Sequence, residues 1–580
     1  MFKNLKLLWP YFKRYRRYFL FGTLVLTTVN ILDVSLPLII RYAIDHLGAD
    51  NATQILLLCG IGFVVAVGLQ GAGRYGFRIF FMGAARKVSR DMRNEFFGHI
   101  QTLSNKFFNT TPTGDIMSRA TNDIEAVQRA YGMGVMIVTD IVLYFLTVPF
   151  IMMFLSVKLT LLSVIFFPIL PFFVHRMGKL IHARFKEIQE TFARISTQTQ
   201  ENFSGIRVVK SFVQEENQIK DFDKVSTNFV KQNMSLVKLQ AFFSPSLQLI
   251  AGLSILAVIY FGGMETIKGN ISTGTFVAFP FYLMKIMWPM MGIGWAISIF
   301  QMAIASMQRL REVLDVRSDI KSPALPIDHT IKGEVEFKDI GIVYPQATRP
   351  ALHKINLKIP SGKTVALMGP LGSGKTTLVN MIPRLFDPTQ GEVLIDGINI
   401  KKFAVDKLRR QIGFVPQDVF LFSESVKENI SFGVSQAASQ MKDIIRSAEI
   451  SMVNADIAGF AQQYDTMLGE RGVNISGGQK QRLTLARAII KDPKILILDD
   501  CFSSVDTETE EAILQQLKDV VKGRTSIIIS HRLAVVRMAD LIVFMQDGRI
   551  AEMGTHKVLM AKKGRYAQFY EYHQLREEIE

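Results

Sequence analysis

"TVALMGPLGSGKTTLVNMI", residues 364–382, decides the fold of the carboxy-terminal half. A β-rich apolar run leads into Gly369-Pro-Leu-Gly-Ser-Gly-Lys-Thr, and a helical pattern follows. Strand, Gly-rich turn and helix in that order are the setting in which GxxxxGK[ST] cradles phosphate. Gly372 and Gly374 reach backbone conformations closed to other residues, so N–H groups can approach an anion. The helix start near Lys375 favours negative charge. Lys375 is placed to reach outer phosphates, and Thr376 to offer its hydroxyl to Mg2+. The predicted phosphate site runs through Gly369, Pro370, Leu371, Gly372, Ser373, Gly374, Lys375, Thr376 and Thr377.

About 120 residues downstream, "ILILDD" (495–500) reads as a buried strand that ends in two carboxylates. In a P-loop protein such a strand delivers the acid that completes the metal site, and Asp499 takes that role. Between the two lies "NISGGQKQRLTLARAII" (474–490), where Ser476-Gly477-Gly478-Gln479 opens an amphipathic helix. Two glycines at a helix start leave N–H groups for an anion.

Upstream, composition takes over. Of 580 residues, 49% are hydrophobic and 43 are Phe. That is too apolar for an ordinary soluble enzyme. Six stretches are long enough to cross about 30 Å of hydrocarbon, near 18–40, 55–82, 132–157, 159–177, 246–266 and 276–303. The connections at 45–54, around Lys158 and at 265–275 are short. Those at 83–130 and 178–238 are long and rich in Lys and Arg, which places them on the cytoplasmic side. The net charge of +16 then belongs to basic loops of a membrane protein, not to a nucleic-acid surface. "KRYRRYFLFG" (13–22) reads as the basic flank of a retained first span, not a cleaved signal. Cys59 and Cys501 form neither a disulfide framework nor a zinc spacing. A polar linker with two prolines, "SDIKSPALPIDHTIKG" (318–333), precedes the α/β patterning.

P-loop, SGGQ and acidic strand in this order resemble the ATP-binding cassette (ABC) proteins, over the whole carboxy-terminal half. Tyr344 in "IVYPQ" resembles the aromatic that stacks on adenine. Gln417 in "FVPQD" resembles the Q-loop glutamine, "LGERG" (468–472) the exporter X-loop, and His531 in "IIISHR" the switch histidine. "SSVD", ending at Asp506, resembles the D-loop, where the family more often has Ala-Leu before the Asp. "TGDIMSRATNDIEAVQ" (113–128) and "ENFSGIRVVKSFVQEE" (201–216) look like the stretches flanking the two coupling helices of ABC exporters. The resemblance implies a six-helix all-α transmembrane domain (1–320), a linker (321–332) and an α/β cassette with a helical signature subdomain (333–580). It implies ATP and Mg2+ as cofactors, with Thr376, Gln417 and Asp499 around the metal. Asp500, His531 and Gln417 would form the catalytic set. It also implies a dimer in which each ATP lies between one P-loop and the other half's Ser476-to-Gln479 equivalent.

At position 500 the family usually has Glu, which orients or deprotonates the attacking water. Asp500 is one methylene shorter, so its carboxylate retreats by roughly 1.5 Å, and about 1 Å of misplacement can cost on the order of a hundredfold in rate. The resemblance therefore extends to heterodimeric multidrug exporters with one weakly hydrolysing site; a homodimer is the alternative. Implied cargo is a hydrophobic or amphipathic compound, a drug or lipid, exported across the cytoplasmic membrane. The amino terminus and cassette would be cytoplasmic. An ATP-gated channel or regulatory subunit is the reading from another class, separable by ion conductance. Among the polar residues in the spans, Asn30, Asp33, Asp140, Arg74 and Arg78 are candidates for function. The arginine pair reads either as a receiver of an anionic headgroup or, the favoured reading, as solvated near the cytoplasmic interface, and Asp140 as a contact within the bundle. "FYLMKIMWPMMGIGWAISIF" (281–300) suits either an adaptable apolar cavity or plain helix packing.

Overall fold

The computed structural model describes residues 6–579 apart from 165–168, 345–348, 435–439, 506 and 531. The chain divides into two compact units, one of Met1–Gln101 with Pro112–Val316, the other of Thr102–Thr111 with Arg317–Glu580.

The first unit is helical. A short α1 (Trp9–Arg14) precedes α2 (Arg16–Asp45) and α3 (Ala52–Thr102). After α4 (Asn105–Thr110), which belongs to the second unit, come α5 (Thr113–Leu155), α6 (Val157–Val164), α7 (Ile169–Ser204), α8 (Ile206–Ser211), α9 (Glu215–Ile267) and α10 (Thr273–Leu314). Among the described residues five helices, α2, α3, α5, α9 and α10, are long and apolar enough to cross a membrane. The fourth expected span, 159–177, runs across residues 165–168 and so lies partly outside the described residues. Helices overrun the expected spans; α3 continues 20 residues past position 82. Hydropathy marks only the part that prefers lipid, while nothing in 83–102 breaks the backbone ladder. Val34, Val148, Phe279, Tyr282 and Ile286 meet in the core of this unit.

The second unit carries two sheets. The four-stranded antiparallel sheet has the order β2-β1-β4-β5, from β1 (Val335–Ile342), β2 (Leu352–Ile359), β4 (Gln390–Ile395) and β5 (Ile398–Asn399). The other has the order β10-β9-β3-β8-β7-β6. It is built from β3 (Thr364–Met368), β6 (Ile412–Val415), β7 (Ile495–Asp499), β8 (Thr525–Ile529), β9 (Leu541–Gln546) and β10 (Arg549–Gly554). All its pairings are parallel except β9 with β10. Every residue of β3, β7 and β8 is buried, which is why they read as unbroken apolar runs: central parallel strands are covered on both faces. β8 lies between β3 and β7, and Ile529 is in register with Leu367 on one side and Asp499 on the other. The turn after β3 and the acids after β7 therefore emerge at the same sheet edge, the usual ligand position in such sheets. A separate helical core gathers Leu421, Val426, Ile444, Ile457 and Leu483.

Candidate active site

At that edge the glycine-rich turn 369–374 passes from β3 into α11 (Lys375–Val379). Gly369 has φ 142° and Gly374 φ 95°, both in the region that favours glycine. A Cβ on Gly369 would stand 2.0 Å from the Met545 carbonyl, and one on Gly374 2.8 Å from that of Ala351. Glycine at these two positions is thus required by the packing of the turn against neighbouring backbone. Leu371 forms the exposed tip.

Lys375 is buried, and its Nζ donates to the carbonyls of Gly369 (2.7 Å) and Pro370 (2.9 Å) and to Ser373 Oγ (3.3 Å). Burial lowers its pKa, and the charges of Asp499 and Asp500 oppose that. Asp499 is 1% exposed. Its Oδ1 accepts from Thr376 Oγ1 at 3.2 Å, and its Oδ2 is buried with no partner among the described residues. Burial pushes this carboxyl up to about 6, with Asp500 adding to the rise and the Thr376 hydrogen bond and Lys375 opposing it. An acceptor without a donor, beside a hydroxyl and a cationic cradle, is what a divalent cation would satisfy. Thr376 and Asp499 thus fit Mg2+.

Asp500 is half-buried at φ 48°. Its N–H donates to the Ile529 carbonyl (3.0 Å), and its own carbonyl accepts from Ser503 Oγ (3.3 Å). Gln417, just past β6, is exposed. It shares a cleft of about 200 Å³ with Leu371 to Thr377, Asp499, Asp500, Ala351 and Ile529. The Tyr344 hydroxyl lies 3.2 Å from that of Thr377, with its ring edge-on to Phe386. His531 and Asp506 lie outside the described residues.

The SGGQ stretch is not in that cleft. It begins α12 (Gly477–Ile489) with a reciprocal cap: Ser476 Oγ accepts from the Gln479 N–H (3.2 Å), and Gln479 Oε1 accepts from the Ser476 N–H (3.0 Å). Among the described residues the N–H groups of Gly477 and Gly478 take no acceptor. A Cβ on Gly478 would come 2.9 Å from the Ser504 carbonyl. Sequence reasoning missed Gln481, which is buried, donates to Ser503 Oγ (2.8 Å) and accepts from the Ser504 N–H (2.9 Å). It ties α12 to the "SSVD" loop, and nothing in a single sequence distinguishes it from a plain helix residue.

In the membrane unit, Asp33 of α2 gathers donors from three other helices. Gln70 donates at 2.7 Å, Tyr144 at 2.9 Å, Lys285 forms an ion pair, and Arg74 stands at 3.7 Å. Arg74 is thus ion-paired to the bundle, where the sequence suggests a solvated interfacial residue. Lys285, inside the Met-rich stretch, went unnoticed because its partner is 252 residues away.

Two family models match the chain: the ABC transporter transmembrane region over residues 19–290 and the ABC transporter domain over 352–503. It is 35% identical over 578 residues to the probable multidrug resistance ABC transporter ATP-binding/permease protein YheI of Bacillus subtilis, covering 99% of this chain and 98% of that one. It is 34% identical over 546 residues to the ATP-dependent lipid A-core flippase of Syntrophus aciditrophicus, covering 94% and 90%. Its fold is that of a bacterial Atm1-family ABC exporter solved with ATP bound, at a TM-score of 0.81 and 23% identity, covering 96% of this chain and 99% of that one.

Proposed function

The chain belongs to the ABC transporters, as a membrane domain and an ATPase cassette on one polypeptide, and from that premise we propose that it works as one half of a dimeric exporter with a weakly hydrolysing site of its own. The observation that carries this is the separation of two half-sites on one chain. Among the described residues the cleft around Lys375 is lined by no SGGQ residue, and the Gly477 and Gly478 N–H groups take no acceptor. Each is complete only against a second cassette. A heterodimer fits better than a homodimer, because Asp500 is the short acid while the SGGQ start is intact.

In this reading Lys375 turns its donors from the loop carbonyls to the outer phosphates, and Tyr344 stacks on the base. Thr376 and Asp499, with Gln417, would hold Mg2+, which when bound would offset phosphate charge. Asp500, with Gln417 and His531, would take the proton of the attacking water. Gly369 to Thr377 bind the phosphates, and Ser476 to Gln479 face the partner's nucleotide. The domain limits in this proposal are 1–320 for the membrane domain, 321–332 for the linker and 333–580 for the cassette. Cargo is hydrophobic or amphipathic, a drug or a lipid, moved across the cytoplasmic membrane with the cassette on the cytoplasmic side.

A second reading rests on the Asp500 backbone. At φ 48° the side chain is re-aimed, and if that restores reach, two equal sites can work in a homodimer. Purifying the chain alone and with co-expressed halves, then measuring mass and ATPase rate, separates the two. A fast homodimer would refute the weak-site proposal.

A further inference from the structure

At the basic start of the first span, Tyr15 separates α1 from α2, and α1 presents two different faces. Tyr11 donates to Glu95 (2.6 Å), Tyr15 donates to Asp91 (2.7 Å), and Arg14 pairs with Asp91 (3.0 Å), so one face is committed to α3. The other face carries Trp9 and Phe12, stacked at 5.6 Å between ring centres. These two rings form one wall of a groove of about 580 Å³. The other walls are Val138 and Val142 of α5 and Ile297 and Phe300 of α10. Every lining residue is apolar or aromatic, and several remain open: Trp9 is 60% exposed and Val142 50%.

Four exposed cations, Lys6, Lys13, Arg16 and Arg17, belong to the same amino-terminal segment as Trp9 and Phe12. Among the described residues no acid lies within ion-pair distance of any of them. Asp91 and Glu95, the near acids, are occupied on the far face of α1. Lys13 follows Trp9 by one helical turn, so cation and groove wall share a side of the helix. An uncompensated basic strip at the start of a span attracts anionic lipid. A groove of this size and lining takes an apolar chain and offers no polar group to orient a peptide or sugar. Trp9 has the amphipathic character of residues that sit at headgroup level.

We propose that this groove holds a resident anionic phospholipid, its acyl chain seated between α1, α5 and α10 and its phosphate on Lys13, Arg16 and Arg17. The lipid wedges α1 against the third and last of the apolar long helices other than α9, and its site is independent of the nucleotide cleft. Neither half suffices by itself. The groove selects an acyl chain without regard to headgroup, and the basic strip selects an anion without regard to its tail.

The test uses the full-length chain, delipidated and returned to nanodiscs of phosphatidylglycerol, phosphatidylcholine or their equal mixture, with lipid retention read by native mass spectrometry after detergent release. Retention of one phosphatidylglycerol per chain, at least fivefold over phosphatidylcholine, is expected. Val138→Trp, which fills the groove, and the triple change Lys13→Gln, Arg16→Gln, Arg17→Gln should each lower retention at least fivefold. Leu57→Trp, at an exposed apolar position of α3, should leave it unchanged. If Val138→Trp fails to fold, the triple variant decides. Free inorganic phosphate should not compete, because it lacks the chain. Equal retention of the two lipids, or retention indifferent to the triple variant, overturns the proposal. So does loss of bound lipid in step with ATP turnover, which would make it cargo, or a groove variant that alters oligomeric state and not lipid.

Discussion

Asp499→Asn gives a pH signature that follows chiefly from burial of this carboxylate. An ordinary Asp titrates near 3.8, and burial lifts this one to about 6. Because the folded value is the higher, the group favours folding most below pH 3.8, and that contribution is lost as the pH rises from 3.8 to 6. Each pH step of that gap is about 1.4 kcal/mol, so the ionised carboxylate penalises the nucleotide-free cassette by about 3 kcal/mol at pH 8, and by roughly half as much at pH 5. Asn carries no such titration. Its amide has a fixed cost of its own, but that cost cancels when the variant is compared with wild type at two pH values. The difference between them should move by about 1.4 kcal/mol in favour of Asn from pH 5 to pH 8, or about 1 kcal/mol after screening by nearby water. For a cassette of this size that is about 2–4 °C. The assay is thermal unfolding of the full-length protein without nucleotide and with chelator at both pH values. A variant-to-wild-type difference that does not change with pH, or moves toward wild type at pH 8, would refute the burial argument.

The remaining expectations concern the half-sites. Lys375→Ala removes a buried cation and should weaken ATP binding at this chain's own site roughly ten- to hundredfold by equilibrium titration; unchanged affinity would reject the phosphate assignment. Gly478→Ala drives a Cβ to 2.9 Å from the Ser504 carbonyl, so it should abolish ATPase of the dimer while nucleotide affinity of the isolated chain stays within about twofold. Loss of that affinity would show that SGGQ acts within its own chain. Asp500→Glu should speed phosphate release at this site, up to roughly a hundredfold if reach is the whole defect. Glu tolerates φ 48° less well than Asp, by about 1 kcal/mol or roughly a fivefold factor, so about a twentyfold gain is expected.

The glycine-rich turn and its strand were legible because their pattern is local: the glycines, Lys375 and Thr376 are contiguous, and β3 reads as an apolar run. The place of Asp499 at the end of a buried strand was legible because Ile495 to Leu498 is apolar throughout. What the sequence withheld is set by pairing across distance. That β8 inserts between β3 and β7, putting Ile529 beside both Leu367 and Asp499, follows from crossover topology and leaves no periodic trace. Gln481 holds the "SSVD" loop through two hydrogen bonds that only the fold creates. Lys285 looked like an isolated charge in an apolar stretch until Asp33 was placed beside it. The positive φ of Asp500 was also hidden, and it changes what replacing that residue should do.

Steady-state phosphate release from Asp500→Asn, reconstituted with wild-type partner in a preparation of verified composition, tests the weak-site proposal most directly. If this chain's own cleft binds ATP firmly and turns it over slowly, the other site carries the flux, and the variant should keep total turnover within about twofold of wild type. Near-complete loss in that heterodimer would make Asp500 a working base and contradict the account.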